Sequence, residues 1–263
     1  MHELTRAGRL AGVLLAMLLM TLLYAGVAEA EPRIKTSGCK IYDTNQVDPI
    51  AFASHVHHHF GNTSTSNQST RQSLFEHKKT SCSEDSRWFT SAGWFPVERN
   101  EPVIRVGVYY RAPGDQTEVR RIPRGLQLLG TEKKYNCNDG RFQDSPVYSC
   151  RANWAVSVKF PDCWNENSKQ ETSMVYSRNG DCPRTHSHRI PQISYLIQHD
   201  NPDNAVANQL MVSAGVNEWH PYSSMHADYF SANRPVFNRK LIGLCLRSQP
   251  DNATPETLPD KCG

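Results

Sequence analysis

The middle of the chain alternates between hydrophobic and polar residues in short runs, which is the period of β-strands. Along residues 153–160 the large apolar side chains recur at every second position, with small or polar residues between them. Side chains two apart on a strand share a face, so this run predicts a strand with one buried face. Four other runs have a similar composition, at residues 103–110, 190–198, 210–214 and 225–230.

Turn-forming residues separate these runs, as at residues 112–115, 138–140 and 178–181. One late segment, which begins near Pro235, has helical spacing instead. Its apolar residues fall on one face of a helix: Val236, Phe237, Leu241, Ile242 and Cys245. Many short strands with few short helices predict a mostly β, single-domain protein of the β-sandwich or jelly-roll type.

The first thirty residues have a different pattern. Met1–Ala30 begins with two arginines, continues with an uncharged apolar run over residues 10–28, and ends on the small residues Ala28 and Ala30. This layout predicts a secretory signal peptide, although the apolar run is also long enough for an uncleaved membrane anchor. With cleavage after Ala30, we expect an N-terminal extension at residues 31–47, one β-rich domain at 48–247 and a C-terminal tail at 248–263.

The net charge narrows the choice of partners. It is +3, and removing Met1–Ala30 leaves it unchanged because that segment holds two arginines and two glutamates. Such a small charge with scattered basic residues argues against a nucleic-acid partner. No later segment is apolar enough to span a bilayer, so no membrane partner is expected after cleavage. We predict a secreted protein, either extracellular or associated with the periplasm or cell wall.

Eight cysteines remain in the exported chain. Outside the cytosol they are expected to form disulfides, and eight cysteines allow about 105 pairings. A thiolate metal site is the alternative, but no C-x-x-C occurs in the sequence. We favour pairs that are close in sequence: Cys39–Cys82, Cys137–Cys150, Cys163–Cys182 and Cys245–Cys262.

A polar stretch at residues 61–70 predicts a surface loop. It contains two N-glycosylation sequons, at Asn62 and Asn67, and a third lies at Asn252. The stretch has no apolar anchor, which is why it is predicted to lie on the surface.

The histidines are the most unusual chemical feature. His55, His57 and His59 share a face if their segment is extended, and H-x-H recurs at His186 and His188. A third pair combines a histidine with a carboxylate, in His226 and Asp228. Imidazoles with a carboxylate suit a divalent transition metal, Zn, Cu, Fe or Mn. The alternative is that these histidines hydrogen-bond loops or line a sugar-binding cleft without metal.

Several short motifs occur together in a recognisable order, from about residue 48 to residue 245. They are Asp48-Pro49-Ile50, Ser54-His55-Val56-His57 with Phe60-Gly61, Phe160-Pro161-Asp162-Cys163-Trp164, Cys182-Pro183 followed by His186, Arg189-Ile190-Pro191, and His226-Ala227-Asp228-Tyr229-Phe230. This series resembles a secreted family, found in fungi and bacteria, known as domain of unknown function number nineteen ninety-six. The resemblance implies secretion and a β-rich fold and brings no established activity.

The resemblance also sorts the candidate residues. His55, His57, His186 and His226 fall on motif positions, as do Arg189 and Asp228, whereas His58, His59 and His188 do not. We therefore predict metal ligation by the four motif histidines. The predicted catalytic group comprises His57, His186, Arg189, His226, Asp228 and Tyr229.

The leading functional hypothesis is an exported hydrolase or lyase that acts on an extracellular polysaccharide. In a metal-dependent hydrolase, Asp228 or a histidine would move a proton next to a metal-bound water. In a metal-free lyase, a histidine and Tyr229 would serve as base and acid while Arg189 neutralises a uronate carboxylate. The alternative class is a non-catalytic cell-wall, matrix or metal-binding protein. Four tryptophans would suit either sugar stacking or the core: Trp88, Trp94, Trp164 and Trp219.

Overall fold

Two antiparallel five-stranded sheets dominate the protein, which is represented by a computed structural model. The structure describes residues 33–50, 55–77, 79–82, 89–98, 103–137, 141–145, 153–200, 211–215, 218–221 and 224–247. Sheet A has the strand order β1 (Arg33–Cys39), β5 (Val103–Arg111), β12 (Gln192–His199), β8 (Trp154–Lys159) and β7 (Glu132–Asn136). Sheet B has the order β2 (Asp43–Asn45), β3 (His57–Gly61), β4 (Ala92–Pro96), β15 (Ala227–Phe230) and β6 (Gln127–Gly130).

Smaller elements surround the two sheets. A three-stranded sheet has the order β10 (Met174–Val175), β9 (Cys163–Trp164) and β11 (His188–Arg189), and β13 (Met211–Gly215) forms a hairpin with β14 (Glu218–Pro221). The helices are α1 (Arg71–Glu76) and α2 (Pro235–Lys240), and α2 continues into a π-helical segment, Leu241–Leu246. Single 3-10 turns occur at Gln116–Glu118, Glu171–Ser173 and Arg184–His186.

The mostly β fold is therefore confirmed. Each of the five predicted strand runs contains an observed strand, β5, β8, β12, β13 or β15, with ends within about two residues. The late helix is also confirmed, and it buries Phe237, Leu241, Ile242 and Cys245 as its spacing predicts.

Sheets A and B pack face to face through one aromatic core. Phe60 of sheet B meets Tyr195 of sheet A with ring centroids 4.7 Å apart, and Phe160 lies 4.7 Å from the other side of the same tyrosine. All three rings are fully buried. The Tyr195 hydroxyl also donates a hydrogen bond across the core to the backbone carbonyl of Asp228, at 3.1 Å. The core thus ties sheet A directly to the strand that carries Asp228.

A second, smaller apolar cluster lies on the outer face of sheet B. It consists of Leu74 of α1, Ala92, Trp94, Phe230 and Ala232. Helix α1 begins with a capping box, in which Thr70 accepts from the Ser73 amide and Ser73 bonds back to the Thr70 backbone.

Asn62 holds this helix against the sheet. Its side-chain amide donates to the carbonyls of Leu74, at 2.8 Å, and Thr90, at 2.9 Å, and the residue is fully buried. The prediction of a surface loop is therefore wrong at Asn62, because a polar residue that satisfies buried carbonyls has the same sequence signature as one in solvent. An amide buried in this way is not an accessible glycosylation site in the folded protein.

Two of the predicted disulfides are confirmed, Cys39–Cys82 and Cys163–Cys182. Cys137 and Cys245 are also disulfide-bonded, and their predicted partners lie outside the described residues.

The predicted domain boundaries can be compared with the compact unit and the strands of the structure. Glu31–Gly263 forms one compact unit, and the segment predicted as an N-terminal extension contributes β1 to sheet A and β2 to sheet B. Met1–Ala30, the predicted signal peptide, and the predicted tail at 248–263 lie outside the described residues. Among the residues that are described, no helix is long and apolar enough to cross a membrane.

Candidate metal centre

Strand β3 presents its histidines alternately to the two faces of sheet B. Phe60 points into the main core, so His57 and His59 point to the outer face, where both are almost completely buried. His58 lies on the core-facing side, where its ring contacts Phe95 at 5.6 Å between centroids. The strand ends at Gly61, whose φ of +82° lies in the left-handed region that favours glycine. A Cβ added at this position would lie only 2.4 Å from the backbone oxygen of Ser91, so a larger residue would clash.

The register of sheet B brings two distant histidines together. Strand β4 pairs with β3 on one side, where His57 is opposite Pro96, and with β15 on the other, where Asp228 is opposite Trp94. His226 immediately precedes β15 and lies two residues before Asp228. Because β3 and β15 both pair with β4, His57 and His226, which are 169 positions apart in the sequence, come into ring contact.

Three histidines form a compact triangle at this point. His55, His57 and His226 each offer a ring nitrogen, and these atoms all lie within 4.8 Å of one another. The ring centroids are 4.3 Å apart for His55 and His57, 5.3 Å for His55 and His226, and 6.2 Å for His57 and His226. Ligands at about 2 Å from one ion are about 3–4 Å apart, so small side-chain rotations suffice for the three rings to share a metal.

Hydrogen bonding orients the His226 ring. Its Nδ1 lies 3.2 Å from the carbonyl oxygen of Ser224, which can only accept, so Nδ1 carries the proton. The Nε2 lone pair is then available, and it faces the Asp228 carboxylate with 3.8 Å between Nε2 and Oδ2. A ring nitrogen held by a backbone carbonyl is the usual arrangement behind a metal-ligating histidine.

His57 is the most deeply buried member of the triangle. Neither of its ring nitrogens has a hydrogen-bond partner of ordinary geometry among the described residues, and the side chain is fully buried. Burial, followed by the neighbouring rings of His55, His226 and His59, lowers the pKa of His57 to about 2, against a small opposing effect of the Val47 backbone. The imidazole is therefore neutral at physiological pH, which is the form that binds metal.

The other two histidines of the triangle are also kept neutral. Burial lowers the pKa of His226 to about 4 and also lowers the pKa of His55, where Asp48 opposes the shift. All three rings thus have low proton affinity, and each keeps a lone pair for a ligand.

Two further acidic residues affect the Asp228 carboxyl. Burial, then the charges of Asp48 and Glu171, raises the pKa of the Asp228 carboxyl well above its usual range. Asp48 belongs to the recognised motif series but was given no role, and Glu171 carries no signal in the sequence that points to this site. Asp48 and Glu171 are thus two carboxylates that influence the site and that the sequence pattern did not predict there.

His186 and Arg189, two of the predicted site residues, lie away from the triangle. His186 is in the 3-10 turn Arg184–His186, where its ring contacts Thr185 at 3.0 Å and Asn165 at 3.4 Å. Arg189 is buried in β11 and donates to the carbonyls of Asp115 and Gly180, joining two turns. Because the guanidinium is used in this way, the structure does not place it where it could bind a substrate carboxylate beside the histidines.

Tyr229 faces the main core, because it alternates with Asp228 along β15. Its hydroxyl accepts from Ser91, at 3.1 Å, and from Asn233, at 3.2 Å, and the ring is fully buried. Burial raises the pKa of this phenol. The hydroxyl is therefore a structural acceptor on the opposite face from the triangle, and it is not placed to act as a catalytic acid there.

Replacing Tyr229 with phenylalanine tests this placement. Tyr229→Phe leaves two buried donors without their acceptor, so we expect a loss of about 1–3 kcal/mol in the free energy of unfolding. Metal affinity should stay within about twofold of the parent protein, because the hydroxyl does not face the histidines. Thermal unfolding and metal titration measure the two effects, and a large loss of metal affinity would contradict the placement.

The remaining histidines and tryptophans divide between structure and surface. His59 stacks on Trp94 at 6.0 Å between centroids, and Trp94 is fully buried, so that tryptophan belongs to the outer apolar cluster. His188 pairs with Glu166 at 3.0 Å, and Trp164 donates to the carbonyl of Ser168. Trp219 is half-buried in β14, and Trp88 lies outside the described residues.

The fold and the histidines together define a class of protein, a β-sandwich with a compact group of three histidines at the outer face of one sheet, close enough together to reach a single metal ion. More particularly, the chain belongs to the family described as Domain of unknown function (DUF1996), whose model matches residues 46–232. The matched stretch includes all three histidines and confirms the resemblance in the sequence motifs. No curated protein and no solved structure matches the chain.

Proposed function

We propose that the protein is a metal-dependent hydrolase of an extracellular polysaccharide, with His55, His57 and His226 as its metal ligands. One observation carries the proposal: a ring nitrogen from each of the three histidines lies within 4.8 Å of the other two, and the His57 side chain is fully buried. Neither ring nitrogen of His57 has a hydrogen-bond partner of ordinary geometry among the described residues, and a buried polar group left in this state costs about 1–3 kcal/mol. A divalent ion that binds one of these nitrogens offsets part of that cost.

The donor set favours a transition metal over calcium or magnesium. Imidazole nitrogen suits Zn, Cu, Fe and Mn, whereas calcium and magnesium take oxygen ligands. Three protein ligands are also typical of catalytic sites, since structural zinc sites are usually closed by four. When bound, such an ion supplies a polarised water as the nucleophile.

The chain itself provides a group to move the proton. Asp228 lies on the same face as the triangle, with its Oδ2 3.8 Å from His226 Nε2. From this position the carboxyl can exchange a proton with a reacting oxygen at the metal site. Asp228 is therefore the proton-transfer residue of the proposed mechanism, and the three histidines bind and orient.

The metal-free lyase receives less support. That mechanism needs Tyr229 as the acid and Arg189 to neutralise a uronate. Both residues are buried and hydrogen-bonded away from the histidines, as described above. The hydrolase needs neither of them. A polymeric sugar as substrate rests on the predicted export, which two disulfides in the fold support.

The second candidate is a non-catalytic metal-binding protein of the cell wall or matrix. It is favoured by Trp94, which is fully buried next to the site and so offers no ring surface for a sugar to stack on. In this case the histidines would bind the same metals without turnover.

Turnover by the parent protein and by an Asp228→Asn variant distinguishes the hydrolase from the non-catalytic metal-binding protein. The parent protein, loaded with metal, is incubated with a panel of polysaccharides, and released reducing ends are measured. We expect Asp228→Asn to lower the rate about 100- to 10,000-fold while still binding metal, because it removes a proton carrier but no histidine. The matched control is Asp200→Asn, since Asp200 is exposed at the end of β12.

Two results would contradict the hydrolase. One is stoichiometric metal with no turnover on any polymer, which would establish the binding protein instead. The other is full activity in Asp228→Asn, which would remove Asp228 from the mechanism.

A further inference from the structure

A groove crosses the outer face of sheet A, on the side away from sheet B. Its volume is about 390 Å³, within the range of ligand-binding pockets. Four strands of sheet A contribute to its floor and walls, and Phe142, in the segment after β7, borders it. The metal centre lies on the outer face of sheet B, so the groove is a separate feature of the molecule.

Strand register aligns the polar side chains of the groove. Ser194 of β12 is opposite Tyr109 of β5 and Lys159 of β8, and Ser157 of β8 is opposite Lys134 of β7. Directly opposite residues of antiparallel strands share a face, so these side chains form two neighbouring rows. The alternate residues of the same strands fill the main core, which confirms that the rows face outward.

Two aromatic rings border the rows. The Tyr109 ring leans along β5 over Gly107, where an added Cβ would come within 2.9 Å of the ring, so glycine leaves room for the ring to lie against the sheet. Phe142 is 42% exposed, which is unusual for a phenylalanine. Flat aromatic faces beside a polar floor suit a sugar ring, which has apolar C–H faces and hydroxyl edges.

The charged residues of the groove are all cations: Arg111, Lys134 and Lys159. Lys134 is 3.5 Å from Asp144 and Lys159 is 3.9 Å from Glu132, and both acids are at least half exposed outside the groove. Such exposed ion pairs contribute little, so an anionic ligand can compete with them. Arg111 is held in place by donating to the side-chain oxygen of Gln192, so it adds positive charge at the edge of the groove.

We propose that this groove binds an acidic oligosaccharide, with uronate carboxylates on Lys134 and Lys159 and sugar rings against Tyr109 and Phe142. The two serines offer hydroxyl partners to the sugar. Nucleic acid fits less well, because tight binding of its backbone uses many phosphate contacts, whereas the groove has three cations and the whole chain carries only +3. The proposal does not depend on the metal centre or on turnover.

Titration of the full chain with oligogalacturonate tests the proposal, with a neutral galacto-oligosaccharide of equal length for comparison. We expect the Lys134→Gln/Lys159→Gln variant to bind the acidic oligomer at least about tenfold more weakly, since two charge-assisted contacts are lost. The matched control, Lys40→Gln/Lys240→Gln, removes the same charge from exposed positions outside the groove and should bind within about twofold of the parent.

A further variant separates the groove from other sources of binding. Phe142→Ala should weaken binding without changing the net charge. Equal losses in the two double variants would overturn the proposal in favour of non-specific attraction. Equal affinity for a single-stranded oligodeoxynucleotide would also overturn it, as would no binding, or a preference for the neutral oligomer.

Discussion

Replacing His57 with alanine is expected to abolish binding of transition metal by the purified protein. His57 is the fully buried member of the triangle, and neither of its ring nitrogens has a hydrogen-bond partner of ordinary geometry in the part of the chain that the structure describes. Loss of a residue that only supports a ligand commonly costs 10- to 100-fold in affinity, so loss of a ligand should cost at least about 100-fold. Elemental analysis after dialysis, together with metal titration, measures the effect.

Two histidines provide matched controls for this variant. His58 is the next residue on the same strand and faces the other side of sheet B, whereas His220 is exposed on β14. His58→Ala and His220→Ala should retain bound metal, because neither ring belongs to the triangle. If His57→Ala keeps the parent's metal content and affinity while it remains folded, the triangle is not the metal site.

Replacing Phe60 with alanine is expected to cause a large loss of stability. Phe60 is fully buried between the two sheets, with Tyr195 at 4.7 Å and Phe95 at 6.1 Å between ring centroids. Truncation of a buried phenylalanine costs about 3–5 kcal/mol through lost burial and the cavity that remains. For a chain of this size each kcal/mol lowers the melting temperature by about 2–4 °C, so we expect a decrease of about 6–20 °C. Thermal unfolding by circular dichroism with the disulfides intact measures it.

Phe142→Ala is the chemically matched control, since it removes the same atoms from an exposed ring. We expect it to change the free energy of unfolding by less than about 0.5 kcal/mol. Equal destabilisation by both substitutions would mean that Phe60 is not part of a rigid core. The same measurement shows whether Phe142→Ala is folded, as it must be for its oligogalacturonate binding to be interpreted.

The central strands were predictable because their local pattern agrees with their environment. Residues 153–160 alternate between core and outer positions, and β8 buries Trp154, Val156 and Val158 as that period requires. Strand β3 was harder to predict as buried, since its sequence is His-His-His-Phe-Gly. His57 and His59 are buried although histidine usually signals a partly exposed position, because residues distant in the sequence pack on them, His226 on His57 and Trp94 on His59.

The candidate site shows where sequence periodicity stops being informative. Spacing of two residues correctly predicts that the His55 and His57 side chains lie together, and that the His226 and Asp228 side chains lie together. The order of strands in sheet B decides which of these pairs meet. The alternation of residues within one strand does not show which strand lies next to it. The same reasoning explains His186, whose pair with His188 has the right spacing but lies on a different small sheet and turn.

Strand β15 has strict alternation between the metal-centre face and the core. Asp228 belongs to one face and Tyr229 to the other, and the Asp228 carbonyl receives a hydrogen bond from Tyr195 of the opposite sheet. One inserted or deleted residue here would exchange the two faces, placing a carboxylate in the core and a phenol at the site. In evolution this strand can therefore diverge by substitution but not in length. A designer who moves the site to another scaffold must transplant β3, β4 and β15 with their register intact.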